Sequence, residues 1–364
     1  MILCRHARPG RAFITRQTTM MNPAPKIITT APALFHSPCR SRRVLIICAA
    51  GLAALASVAT ALAADDYPTK AIKVVVPVQP GFTTDAVARI VAEKLQMKLG
   101  KPVVVENRAG GAGGNVGTEA VARSTPDGYT LLVASPGPLA INKYLYPKLA
   151  FDPTEFVPIS LLASAVNVLV VRADSPIRSV RDLITYAKAN PGKLSYASGG
   201  AGTTQHLATE LLKSQGGNLD IFHVPYKGSA PAMQGFLQGQ GDIMFAELGS
   251  TLPHIKSGKL RAIAVGGTTR NQAVPDVPTM SETLPGFVTT AWYGLVAPPK
   301  TPPAIAAMLS SAVAEIVKDP DVNARLRNMN LQPAGSTPAE LATLVREEGD
   351  RWGKVIRAAK ITVE

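Results

Sequence analysis

Short apolar runs alternate with amphipathic stretches along most of the chain, and that alternation predicts strand and helix in turn. Ile72-Lys73-Val74-Val75-Val76-Pro77 is rich in β-branched residues, closes on a proline and reads as a strand. From Thr84 to Leu99 the residues Val87, Ile90, Val91, Leu95 and Leu99 recur at helical spacing. Val103 to Glu106 predicts a second strand, Gly110 to Gly114 a glycine-rich turn, Val116 to Ala122 a helix, and Thr130 to Ala134 a third strand. Such repeated strand–helix alternation points to an α/β fold, with mainly parallel sheet flanked by helices.

The pattern starts again near Val166. Strands are expected at Val168–Val171, Leu194–Ser198, Ile221–Val224, Ile243–Ala246 and Ala262–Val265, with helices at Ser179–Ala189 and Thr203–Leu212. Pro191-Gly192 stops the first of these helices. Gly294 to Pro299 reads as a late strand, and Thr301–Val317 and Pro338–Ala359 as terminal helical regions. No run of eighteen apolar residues occurs after Ala64, so the body is expected to be soluble.

Charge at first suggests something different. The chain carries 38 Lys and Arg against 25 Asp and Glu, a formal net charge of +13 that would suit a nucleic-acid binder. Eight of those basic residues, and no acid, lie within residues 1–63, which leaves 30 against 25 in the remainder. Cys4, Cys39 and Cys48 all fall in the same leading segment, so the body holds no thiol chemistry and no disulfide framework. His206, His223 and His254 are too scattered for a metal cluster, and neither a metal nor a cofactor is expected.

The leading segment has the layout of an export signal. Arg40-Ser41-Arg42-Arg43 precedes an apolar run from Val44 to Ala56, and Ala61-Leu62-Ala63 offers a small-residue cleavage site before Ala64. Ser41-Arg42-Arg43-Val44-Leu45 also resembles a twin-arginine signal, so the general and twin-arginine routes both stay open. Ile47 is too bulky for a lipoprotein site at Cys48. Residues 1–39 are either part of the leader or sequence upstream of a true start at Met20 or Met21. The expected destination is the periplasm, reached by about 300 residues of mature chain.

Two turns in the body look alike. Gln79-Pro80-Gly81-Phe82-Thr83-Thr84-Asp85 follows one strand, Ser198-Gly199-Gly200-Ala201-Gly202-Thr203-Thr204 follows another, and each delivers Thr-Thr to a helix start. Threonine hydroxyls cap such starts while free N–H groups point outward, which is a setting for an anion. Two such turns facing each other across a cleft would hold an acid at both ends.

At these residues the chain resembles the tripartite tricarboxylate transporter substrate-binding proteins, or Bug family. The resemblance covers nearly all of residues 66–360. It is carried by Asp66-Tyr67-Pro68, by Val104 to Asn115 with its glycine run, and by Pro126-Asp127-Gly128-Tyr129-Thr130-Leu131. Pro191-Gly192-Lys193-Leu194, Ser198-Gly199-Gly200 with His206-Leu207, His223 to Gly228, and Pro275-Asp276-Val277-Pro278-Thr279 add to it. The resemblance implies a two-lobed periplasmic-binding-protein-like (Venus flytrap) fold, each lobe a mainly parallel sheet flanked by helices. It implies no catalysis and a small organic carboxylate bound between the lobes. Its partners would be the small and large membrane subunits of a transporter, and the receptor itself would be a monomer. Residues 66–165 with about 293–364 would form one lobe and 166–292 the other, crossing near Ala163–Asn167 and Thr289–Leu295.

The ligand-binding residues that this implies are Gln79, Gly81, Phe82, Thr83, Thr84 and Asp85 on the first turn, and Ser198, Gly199, Gly202, Thr203 and Thr204 on the second. Ser135 and Asn142 are additions from the loop after the third strand. Phe82 departs from the Pro-Gly-Gly usual in the family: its ring either lies against the lobe surface or lines the cleft and favours an apolar or aromatic acid. Asp85 either orients its turn or accepts from a ligand donor. His206 braces a loop, His223 and Tyr226 could shape the cleft floor, and Asp242 and Glu247 read as hinge or surface groups. An exported enzyme acting on an organic acid would need a base or nucleophile at recognisable spacing, and none is present. A sensory receptor signalling to a membrane kinase would share the lobes, and the sequence does not separate it from a transport receptor.

Overall fold

The computed structural model describes residues 67–110 and 112–363, so the leader expected over residues 1–63 lies outside the described residues. Ten strands and ten α-helices are found among them. In chain order the strands are β1 (Ile72–Val76), β2 (Val103–Asn107), β3 (Thr130–Ala134), β4 (Val157–Arg172), β5 (Leu194–Ser198), β6 (Ile221–Pro225), β7 (Ile243–Glu247), β8 (Leu260–Val265), β9 (Thr290–Ala297) and β10 (Leu331–Pro333). The helices are α1 (Thr83–Leu99), α2 (Asn115–Ala122), α3 (Asn142–Leu145), α4 (Val180–Ala189), α5 (Thr204–Gln215), α6 (Ser229–Leu237), α7 (Leu248–Lys256), α8 (Pro303–Lys318), α9 (Pro320–Asn328) and α10 (Pro338–Ala358).

The strands follow the order β2-β1-β3-β9-β4-β7-β5-β6, with β8 and β10 also pairing with β4. β1 pairs in parallel with β2 and β3, and β5 in parallel with β6 and β7. Between these two parallel groups β9 and β4 run antiparallel to their neighbours. The sheet is therefore mixed at its centre. β4 is the element that joins the halves: Val157 to Val166 pairs with β9, and Asn167 to Val171 pairs with β7. The expected strand at Val168–Val171 is only the second part of this sixteen-residue strand.

Each half buries its own apolar face. In the β1 half, Val87, Ile90, Val91 and Leu95 of α1 pack on Ile72, Val74 and Val76, the helical spacing meeting the alternating face of the strand. Full burial of each such side chain contributes about 1.5–3 kcal/mol. Gly100, left-handed at φ 64°, ends α1 by donating its N–H to Gln96 O. In the β5 half, Leu207, Ala208, Leu211 and Leu212 of α5 pack with Tyr196 and Ile221. Helix α10 serves both halves: Leu341 belongs to the core around Leu132 and Trp292, and Trp352, Val355 and Ile356 to the core around α5. No helix among the described residues is long and apolar enough to cross a membrane.

Candidate ligand-binding site

The two Thr-Thr turns follow the C-terminal ends of β1 and β5, the end at which open α/β sheets bind ligands. The first turn needs a left-handed residue and gets it at Gly81, with φ +88°. Phe82 sits beside it in ordinary extended geometry at φ −73°, so its side chain carries no backbone cost. Asp85 locks the turn. Its carboxylate accepts from Gly81 N at 3.0 Å, from Arg89 Nε at 3.0 Å and from Asn107 Nδ2 at 2.9 Å. Burial would raise the Asp85 pKa, but the hydrogen bonds from Arg89, Gly81 and Asn107 outweigh it and hold the carboxyl below its ordinary value. Asp85 orients the turn, and its acceptor capacity is largely spent on the protein itself.

The second turn is braced just as fully. Gly199 N donates to Gln205 Oε1 at 2.7 Å, Gly200 N to Ser198 Oγ at 3.1 Å and Gly202 N to His206 Nδ1 at 2.9 Å. Thr203 caps α5, its hydroxyl accepting from His206 N at 3.3 Å and donating to Gly200 O at 2.8 Å. Ser198, fully buried, also lies 2.7 Å from His223 Nε2. The glycine N–H groups of both turns are thus engaged internally. The N–H groups left for a ligand are those of the first helical turns, which have no intrahelical acceptor. At α1 no side chain caps that end.

Behind the second turn three rings stack. Tyr196 and His223 lie 4.6 Å apart and 10° from parallel, and His223 and His206 4.3 Å apart and 6° from parallel. Burial, together with the nearby His223, lowers the His206 pKa to about 4, and burial also lowers that of His223. Both rings are neutral near neutral pH, as the Gly202 N–H to Nδ1 bond requires of His206. Tyr196 OH donates to Glu210 Oε1 at 2.7 Å, and Lys213 pairs with the same oxygen at 2.8 Å.

The turns do not stand alone, because the β1 half reaches the β5 half directly. Thr83 Oγ1 donates to Glu247 Oε2 at 3.0 Å, and Tyr293 OH donates to Glu247 Oε1 at 2.8 Å. Glu247 ends β7 and is half-buried. Burial pushes its carboxyl above the ordinary value, the Tyr293 and Thr83 hydroxyls only partly opposing this. The Phe82 ring faces the same way: a Cβ at Gly228 would stand 3.8 Å from its Cζ. Leu145 approaches from the first half, since a Cβ at Gly202 would meet its Cδ1 at 2.3 Å.

The remaining candidates spread more widely. Thr84 is buried in the first turn of α1, Thr204 is half-buried at the start of α5, and Gln79 is exposed. Ser135 is half-buried just after β3. Asn142 is a tether: its Nδ2 donates to Asn115 Oδ1 at 2.6 Å and to Gly113 O at 3.2 Å, fixing the glycine run to the start of α3. Tyr226 points to Gln240, donating to Oε1 at 2.6 Å. Glu247 and Tyr293 were not among the expected site residues. The available signal was an acid placed at the end of the apolar run Ile243–Ala246, where a strand end meets the cleft. Among the described residues no group of three or more His, Cys, Asp or Glu is placed to hold a metal ion.

A match to the tripartite tricarboxylate transporter family receptor model runs over residues 87–361. The chain belongs to this receptor family. It is 38% identical over 307 residues to Protein BugT of Bordetella pertussis, covering 84% of this chain and 94% of that one. The structure of the periplasmic binding protein BugD is 34% identical with a TM-score of 0.70, covering 82% of this receptor and all of BugD. A protein of R. palustris, solved with adipate, is 35% identical with a TM-score of 0.74 over the same shares. The receptor has the periplasmic-binding-protein-like architecture, works in the periplasm, and is a solute-binding protein rather than an enzyme. Its general partners are a carboxylate and the membrane subunits of a tripartite tricarboxylate transporter.

Proposed function

We propose that this receptor captures a small di-, tri- or aromatic carboxylate between two lobes, residues 66–165 with 293–364 and residues 166–292, and delivers it as a monomer to the transporter's membrane subunits. The observation that carries the proposal is the hydrogen bond from Thr83 to Glu247, which draws the start of α1 onto the end of β7 across the two halves of the sheet. A ligand seated there meets the first-turn N–H groups of α1 and α5, the hydroxyls of Thr83, Thr84 and Thr204, and the Phe82 ring. Helix N-termini favour negative charge, and first-turn N–H groups on helices whose entry turns are braced by Asp85, Gln205 and His206 lose little freedom on binding. The adipate-bound relative supports the ligand class.

The test is a thermal-shift screen of the purified receptor against aliphatic and aromatic mono-, di- and tricarboxylates, followed by calorimetry on the best. A ligand at about a hundred times its Kd stabilises the bound state by about 2.7 kcal/mol, which registers as a raised melting temperature. A screen in which no carboxylate shifts the transition refutes the reading.

A further inference from the structure

The two ends of the cleft are not equivalent. At the α1 end stand two carboxylates. Asp85 is paired with Arg89 at 3.0 Å, but Glu247 has only the hydroxyls of Thr83 and Tyr293, and no Lys or Arg pairs with it among the described residues. At the α5 end Glu210 is taken up by Tyr196 OH and Lys213. The nearby acid at the α5 end is thus taken up, whereas at the α1 end Glu247 is a half-buried acceptor with no basic partner among the described residues.

We infer that Glu247 sets the direction and the class of the bound acid: the ligand's carboxylate seats at the Ser198–Thr204 turn, and its other end presents an N–H or O–H donor to the Glu247 carboxylate. This rests on the carboxylate reading given above. A second ligand carboxylate brought against Glu247 would set two carboxyl groups face to face in a partly desolvated site, which costs either like-charge repulsion or the uptake of a proton. A hydroxyl or ammonium in the same place exchanges with the Thr83 hydroxyl and leaves Glu247 satisfied. Glu247 is thus a specificity-determining residue, and it discriminates by excluding plain dicarboxylates as much as by attracting donor-bearing ones.

Calorimetry on matched probes tests this: succinate against 4-hydroxybutyrate and 4-aminobutyrate, and benzoate against 4-aminobenzoate, with wild type and Glu247→Gln. Wild type is expected to bind the preferred donor-bearing member of a set at least tenfold more tightly than the plain acid. In Glu247→Gln, whose amide also donates, that preference is expected to collapse or invert. A wild-type preference for the plain acids, or a ranking that Glu247→Gln leaves unchanged, overturns the inference while leaving the carboxylate reading intact. Binding of none of the probes, with no shift from any acid in the wider screen, overturns both. If Glu247→Gln does not fold, Glu247→Asp keeps the charge but withdraws it. It must then weaken the donor-bearing probe more than the plain one, and equal weakening overturns the inference.

Discussion

Lowering the pH should loosen the Ser198–Thr204 turn through His206. The ring is buried, its Nδ1 accepts the Gly202 N–H at 2.9 Å, and its pKa is lowered to about 4 from an ordinary 6.5. Between those values the unfolded chain binds the proton and the folded one does not, so folding stability is complete above the ordinary value and falls as the pH drops toward about 4. With one pKa unit worth about 1.36 kcal/mol, the loss from about pH 7 to about pH 5 is about 2 kcal/mol, approaching about 3 kcal/mol at lower pH. Urea unfolding followed by fluorescence of the two buried tryptophans, Trp292 and Trp352, measures it. The comparison is with His206→Asn, which cannot titrate. The lowered pKa of His223 is caused by burial and its balance with Glu210 and Lys213, and the raised one of Glu247 by burial, so both persist in the variant and cancel in the difference. Wild type should lose about 2 kcal/mol more than His206→Asn over this range. Equal losses would refute the assignment of a neutral, proton-excluding His206.

Asp85→Asn should destabilise the receptor by about 2 kcal/mol in denaturant unfolding, because it removes a charged acceptor serving Gly81, Arg89 and Asn107. Gly202→Ala places a methyl 2.3 Å from Leu145 Cδ1 at φ +77° and should cost more than about 1 kcal/mol. Adding Leu145→Ala should relieve the clash but not the backbone strain, so full recovery of stability would contradict the left-handed geometry. Phe82→Gly should shift the ligand ranking in calorimetry toward smaller, more polar acids, and an unchanged ranking would put the ring out of the ligand's reach.

Elements built from local repetition were legible in the sequence. The spacing of Val87, Ile90, Val91 and Leu95 gave α1 to within one residue, because burial against β1 requires the same face that the pattern displays. Helices α6 and α7 escaped notice, as Pro231 and Gly235 interrupt one and Pro253 the other. They are held by tertiary burial of Phe236 and Leu248 rather than by propensity. The first part of β4 was hidden by Pro158, Ser160 and Ser164 among its apolar residues. The antiparallel placing of β9 was hidden because a period of two is the same in either direction. At the site, the Thr-Thr turns are local motifs and were visible as such. The bond from Thr83 to Glu247 spans 164 positions, and no local pattern announces a contact at that separation.

Strand β4 runs unbroken from the β9 side of the sheet to the β7 side, and its Asn167 side chain donates to Thr289 Oγ1 at 3.0 Å just before β9 begins. Neither half can complete its hydrogen-bond ladder without a segment of this one strand. The halves should therefore share their cooperativity: unravelling one exposes backbone groups of the other, and the body is expected to melt in a single transition. A relative rotation of the halves would have to put added twist into β4, so a continuous strand, and not only loops, should resist opening of the cleft.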